Sequence, residues 1–363
     1  MDNIGFSYSY KFQMWTLPVI AYWMLIIGTQ NGHSWKNSFP TNPEVNMNLS
    51  QMMSYRGYPN EYYDIVTEDG YFLKLLRIPK GKENLGTVPH RPVVYLQHGF
   101  AASAFNWVAN LPSNSLAYLL ADAGCDVWLG NSRGNTWSRR HMALSPDSEE
   151  FWAFSFDEMA KYDLPATLNF ILKKTKQKEL YYLGHSQGTT IAFISFSTNP
   201  KLAQKIKMFF GLAPVVSVKH IKDPPKELLP LLKSLLKTRL DVYISNFSGV
   251  SVQNAIHWIQ LISSEQFHAY DWEDPALNML HYHQATPPLY NVTLMTVPTM
   301  LWSGGEDALA DPIDVDSLLP NISNLISHKR IPEYNHLDFY LGMDIAQQVY
   351  YEVIKVIKKN MQT

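Results

Sequence analysis

The chain has 363 residues, enough for one large domain or two ordinary ones, and its 46% hydrophobic content against 17% charged residues suits a buried core. A net charge of −2 supplies neither a basic field for nucleic acid nor an acidic tail, which argues against nucleic acid as a partner. Cys125 is the only cysteine, so an intramolecular disulfide is excluded, and its apolar setting before a strand marks an inert buried thiol.

Residues 14–28 (MWTLPVIAYWMLIIG) form an apolar run behind Lys11. The run fits the hydrophobic part of a secretory signal and falls short of the ~20 residues that span a bilayer. Residues 1–33 are therefore expected to be a signal peptide, with a membrane anchor as the alternative and Met14 as a second candidate start. Asn48, Asn246, Asn291 and Asn321 each open an Asn-x-Ser/Thr sequence and are candidate glycosylation sites, in keeping with export.

Residues 62–67 and 71–78 predict a hairpin around Asp69-Gly70. Residues 92–97 predict a short apolar strand ending at His98-Gly99, residues 115–122 a helix, and residues 126–129 another strand. Phe156, Met159, Ala160, Leu164, Leu168, Ile171 and Leu172 recur at helical spacing, closed by a lysine-rich end over 173–178 that complements the helix dipole. Residues 180–183 predict a strand, 189–196 a buried helix, and 207–213 the next strand. From about residue 214 to 290 this rhythm stops, with amphipathic stretches at 227–240 and 252–262. It resumes with strands at 298–302 and 327–331 and a closing helix at 345–358. Alternating strands and helices imply a mostly parallel sheet. The expected organisation is a core of residues 34–214 and 291–363, with residues 215–290 as a helical cap over it.

Gly184-His185-Ser186-Gln187-Gly188 lies between the strand at 180–183 and the helix from Thr189. A glycine-flanked serine is cheap by chance. A strand before it and a helix after it make it a nucleophile elbow, in which the turn exposes the hydroxyl and the helix N-terminus faces a developing oxyanion. Such a serine needs a general base and an orienting acid, here expected in the order serine, acid, histidine. Of the twelve histidines only His328 and His336 follow the late strand. His328 falls within the strand at 327–331, so His336 in the loop before the last helix is the expected base. For the acid, Asp307 after Gly304-Gly305 is favoured by position, with Glu306 and Asp311 as alternatives and Asp338 set aside as facing away from His336. The oxyanion donors are expected to be the backbone N–H groups of Gln187 and Phe100, with a plain turn at His98-Gly99 as the alternative. His281 and His283 lack a clustered third ligand, so no metal is expected, and no cofactor either. The loop Asn131–Trp137 is expected to support the site without taking part in the chemistry.

Several blocks together resemble the acid lipase family, whose gastric and lysosomal members are α/β-hydrolases acting on neutral lipid esters. They are Leu96-Gln97-His98-Gly99, the run from Asp126 to Arg139, the run from Phe151 to Pro165, Gly184–Thr190, and Asn335-His336-Leu337-Asp338-Phe339. The resemblance extends from about Asn46 to the C-terminus. It implies an α/β-hydrolase fold, Ser186 as nucleophile, Asp307 as acid, His336 as base, and Phe100 with Gln187 as oxyanion donors. It also implies a triacylglycerol or cholesteryl ester substrate taken from a lipid–water interface, and a secreted or lysosomal location. Two departures stand out. Between Lys233 and Arg239 the family carries several tens of additional residues, and Phe100 stands where the family usually has leucine. The shortened cap motivates an alternative function, a catalytically weak lipase-like protein that binds lipid or a partner. A cytosolic hydrolase that retains its leader is a third.

Overall fold

The computed structural model describes residues 43–83, 91–222 and 250–361. The signal reading of residues 1–33, the amphipathic stretch 227–240, the departure near Lys233 and the candidate Asn246 lie outside the described residues. Among those described, no helix is long and apolar enough to cross a membrane.

The capped helix α1 (Leu49–Tyr55) leads into the hairpin β1 (Glu61–Val66) and β2 (Tyr71–Ile78), whose turn places Gly70 at φ +97°. Then follow β3 (Val93–Gln97), α2 (Leu116–Asp122), β4 (Asp126–Leu129) and the short β5 (Arg140–His141). After α3 (Leu164–Thr175) come β6 (Leu180–His185), α4 (Gln187–Thr198) and β7 (Ile206–Leu212). The strands assemble in the order β1-β2-β4-β3-β6-β7-β8-β9, with β5 on β2; β8 is Thr299–Gly304 and β9 Leu325–Ile331. The pairs β1–β2 and β2–β4 are antiparallel, and every pair from β4 to β9 is parallel. Residues of β3, β4, β6 and β8 are buried throughout. That is why these strands read as unbroken apolar runs: a parallel sheet is covered on both faces.

The helical spacing over 156–172 is realised in three pieces: a first turn at Phe156–Glu158, a π-wound turn at Met159–Asp163, and α3. Pro165 at the start of α3 explains the widening, since its ring clashes with the carbonyl four residues earlier and it has no N–H to give. Between β7 and β8 the described chain includes α5 (Val252–Ser264) and α6 (Pro275–Tyr282). α7 (Pro312–Leu318) follows β8, and the chain closes with a π-wound turn at Ala346–Tyr350 and α8 (Tyr351–Lys359). Both α6 and α7 begin with an Asp N-cap and proline, a start signal that the apolar periodicity of these short helices did not reveal.

Cys125 is buried and its thiol is pushed up to about 12 by desolvation, leaving it an unreactive apolar filler. Arg133 is the core's one fully enclosed cation among the described residues and sits in the 131–137 loop. Its guanidinium reaches Asp163 Oδ1 at 2.8 Å and Asp69 at 2.6 and 2.9 Å, and its backbone N–H donates to Asp163 Oδ2. The loop next to the site is thus locked to the π-wound turn and to the β1–β2 hairpin. Removing one partner of such a buried pair strands the other, which costs about 3–5 kcal/mol. Arg133→Met is expected to lower stability by about that amount in urea unfolding, and a loss below about 1 kcal/mol would show that the two aspartates rehydrate.

Candidate active site

β6 ends in a sharp reversal at Ser186, whose backbone adopts φ +53°, ψ −123° before α4 begins at Gln187. A non-glycine residue in this region is strained. Four short hydrogen bonds help to hold the turn. Ser186 N–H donates to Leu212 O at 3.0 Å, and Thr189 N–H and Oγ1–H both donate to Ser186 O at 2.7 and 2.6 Å. Thr189 Oγ1 in turn accepts Val215 N–H at 3.0 Å. Two glycines make the crossing possible. A Cβ on Gly184 would meet the Gly188 backbone at 2.7 Å, and one on Gly188 would meet Gln97 O at 2.5 Å.

His336 is carried into this turn by the loop that follows β9. Ser186 Oγ–H donates to His336 Nε2 at 2.7 Å, and His336 Nδ1–H donates to Asp307 Oδ2 at 2.9 Å. Asp307 is fully buried after β8, and its Oδ1 accepts the backbone N–H groups of Leu309 (2.9 Å) and Ala310 (2.8 Å). Burial alone would raise its carboxyl. The His336 ring and these amides outweigh that and hold it below the usual carboxylate range. An ionised Asp307 fixes the proton on Nδ1, so the Nε2 lone pair faces the serine hydroxyl.

The other residues expected near the site separate cleanly. Glu306 is exposed, and Asp311 caps α7 and pairs with Lys222 at 3.0 Å. His328 lies in β9 against Ser303 Oγ. Asp338 is engaged with the backbone of its own turn rather than with His336. The segment is not extended: Asp338 opens a short helical turn and its Oδ2 accepts Asn335 N–H at 2.7 Å. His281 stacks on Trp272 at 4.0 Å and His283 ends α6, and no group of three possible metal ligands occurs among the described residues. Asn48, Asn291 and Asn321 are exposed.

Two histidines whose work the motifs did not reveal shape the site. His98 is buried and pushed down to about 4 by desolvation. Its Nδ1–H donates to Gly99 O at 2.8 Å while Nε2 accepts Ser132 N–H at 3.0 Å, which fixes the loop that carries Phe100. That loop lies against the serine, since a Cβ on Gly99 would meet Ser186 Cβ at 2.9 Å. His185 is pushed down to about 3, first by burial and then by His336. Its Nε2–H donates to His336 O at 2.9 Å, so a neutral ring holds the backbone of the loop that carries His336. The only signal for either was its place inside the motif, next to Gly99 or Ser186.

The insertion between β7 and β8 docks on the turn at 152–158. Ser251 Oγ lies 2.7 and 2.6 Å from the Trp152 and Phe154 carbonyls, and Asn254 Oδ1 accepts Phe156 N–H at 3.0 Å. Asp157 is half-buried there, accepting Tyr270 N–H at 2.8 Å and Tyr290 O–H at 2.7 Å. A cleft of about 20 Å³ adjoins this junction, lined by Gly99, Ala101, Met159, Gln187, Val250 and Asn254 among others. A larger one of about 220 Å³ between Phe267, Tyr290 and Leu318 contains none of Ser186, Asp307 and His336.

Asp157 faces Glu158, also half-buried, and the neutral His257, with His268 and Lys161 beyond. Its neighbours are mostly uncharged donors, so desolvation wins and raises its carboxyl to about 6. A carboxyl raised on folding stabilises the fold below its unfolded value and loses that contribution as pH climbs through the folded one. Thermal midpoints measured from pH 4 to 7.5 are expected to fall more steeply with rising pH for the natural protein than for Asp157→Asn. Parallel profiles would show that Asp157 is ionised throughout.

Residues 49–111 match a family model described as a partial alpha/beta-hydrolase lipase region, and residues 92–248 match the alpha/beta hydrolase fold. Human lipase member K is 52% identical over 399 residues, covering 96% of this chain and 100% of that protein. Human gastric triacylglycerol lipase is 52% identical over 397 residues with the same coverage. Lysosomal acid lipase/cholesteryl ester hydrolase of Macaca fascicularis is 49% identical over 368 residues, 88% of this chain and 92% of its own. The two human alignments are longer than the 363 residues here, so each relative carries residues without a counterpart in this chain. An esterase from Exiguobacterium antarcticum shares the fold at a TM-score of 0.53 and 14% identity, over 82% of this chain and 100% of its own.

Proposed function

We propose a mechanism for this chain, which belongs to the acid lipase family of α/β-hydrolases and is a carboxylic ester hydrolase. Its substrate is a neutral lipid ester, and the relatives named for triacylglycerol and for cholesteryl ester hydrolysis leave both as candidates. Ser186 Oγ attacks the acyl carbonyl while His336 Nε2 takes its proton, and Asp307 orients the ring and stabilises the imidazolium. The oxyanion is received by the N–H of Gln187, at the N-terminus of α4, and by that of Phe100. Collapse of the tetrahedral intermediate passes the proton to the leaving alcohol, and water activated by the same His336 then releases the fatty acid.

The observation that supports this reading most strongly is the continuous hydrogen-bonded chain from Ser186 Oγ to Asp307, set at a strained turn. The described part of the insertion, with α5 and α6, acts as a cap beside it. Export through the secretory pathway, to a secreted or lysosomal destination, accords with the apolar run at 14–28 and the exposed Asn48, Asn291 and Asn321.

The residues that the relatives carry and this chain lacks favour a second reading of its range, an esterase confined to short acyl chains. A fluorophosphonate probe followed by butyrate and oleate ester assays separates the possibilities. Labelling lost in Ser186→Ala, with turnover of both esters reduced by at least ~10³-fold, is expected. Labelling with butyrate turnover alone points to the esterase. A natural protein that is not labelled would sink the mechanism and leave a lipid-binding role.

A further inference from the structure

Gln187 is buried, and its carboxamide meets α5 of the insertion. Its Oε1 accepts two hydrogen bonds, from Asn254 Nδ2–H at 3.0 Å and Trp258 Nε1–H at 2.7 Å, while its Nε2 points at Met159 Sδ at 3.5 Å. Asn254 and Trp258 are four residues apart, so one face of α5 supplies both donors. That face is itself fixed to the core. Asn254 Oδ1 accepts Phe156 N–H, the Trp258 ring lies 5.0 Å from that of Phe156, and Ser251 ties the start of α5 to the 152–154 carbonyls.

We propose that Trp258 and Asn254 are positioning residues for the oxyanion donor. This rests on the reading above, that Gln187 N–H stabilises the transition state. Gln187 is the first residue of α4, where a backbone N–H has no partner within the helix. Whether that N–H meets the developing oxyanion depends on where the Gln187 backbone stands, and donor placement must be good to a few tenths of an ångström. A glutamine has three rotatable bonds. Saturating its Oε1 with two donors from a packed helix removes that freedom and anchors the residue from its far end. The same bonds do a second job. Oε1 is an acceptor beside a site that must bind an oxyanion, and a free acceptor swinging toward that site would repel the charge. Held by the indole and the amide, it is turned into the insertion. The insertion therefore completes the catalytic geometry as well as adjoining it.

The test uses a soluble p-nitrophenyl butyrate assay, so that interfacial binding plays no part. Trp258→Phe keeps an aromatic ring against Phe156 and removes the N–H together with part of the indole. It is expected to lower kcat by ~10-fold with KM unchanged, less than the 10²–10³-fold of losing an oxyanion donor outright. Asn254→Ser should do the same. In a Gln187→Met background, where no Oε1 remains to be held, Trp258→Phe should change kcat by less than about twofold, because residues acting through one group are not additive. The idea is overturned if folded Trp258→Phe, judged by an unaltered thermal midpoint, keeps full kcat. It is overturned equally if the loss appears in KM alone, or is as large in the Gln187→Met background. Fluorophosphonate labelling of the natural protein separates these outcomes from a failure of the underlying mechanism, which would abolish labelling before any variant is compared.

Discussion

The site depends on the backbone of one residue. Ser186 occupies a conformation that costs of order 1–3 kcal/mol and persists only because its surroundings over-determine it. Four hydrogen bonds around Ser186 and Thr189 meet that cost at roughly 1 kcal/mol each. The glycines at 184 and 188 let α4 press onto the end of β3. One reversal therefore fixes three things together: the serine hydroxyl projects out of the turn, the first N–H of α4 lies beside it, and the 98–100 loop is brought against its Cβ.

Around this turn, one residue type does two kinds of work, and burial against charge decides which. His98 and His185 are desolvated without a carboxylate in contact, so both are held neutral with a single N–H each. Each gives that hydrogen to a backbone carbonyl, of Gly99 and His336 respectively, and so sets the position of a loop. His336 alone of the three has a carboxylate on Nδ1, which leaves its other nitrogen to the serine. A histidine that spaces two loops and one that faces a serine hydroxyl thus differ by a single bond.

The parallel core was legible in sequence because strands covered on both faces become apolar runs, and the turn because two glycines must flank its serine. The expected acid was only partly legible. Position after β8 favoured Asp307 without excluding Glu306 and Asp311, which differ in where their side chains point within one loop. Nor did any period announce the turn at 335–338, in which Asp338 accepts Asn335 N–H. The junction with the insertion was opaque. Gln187 meets partners 67 and 71 residues away, and Asp157 partners 113 and 133 away, with no periodicity to link them. Side-chain satisfaction across an insertion is decided by tertiary packing, which local pattern does not encode.

Those long-range bonds also set how the molecule responds to acid. Asp307 is buried and Asp157 half-buried, and they move in opposite directions because one faces an imidazole and two amides while the other faces mainly amide and phenol donors. As pH falls through about 6, Asp157 takes up its proton and the insertion sheds the cost of a buried charge. Asp307 is held below the usual carboxylate range and stays ionised over that interval, so His336 keeps its Nδ1 anchor. Since α5 also holds the Gln187 carboxamide, the junction at Asp157 and the seating of Gln187 meet on the same helix. The two carboxyls thus respond oppositely to their surroundings, one staying paired with the His336 ring and the other giving up its charge at the junction as the medium acidifies.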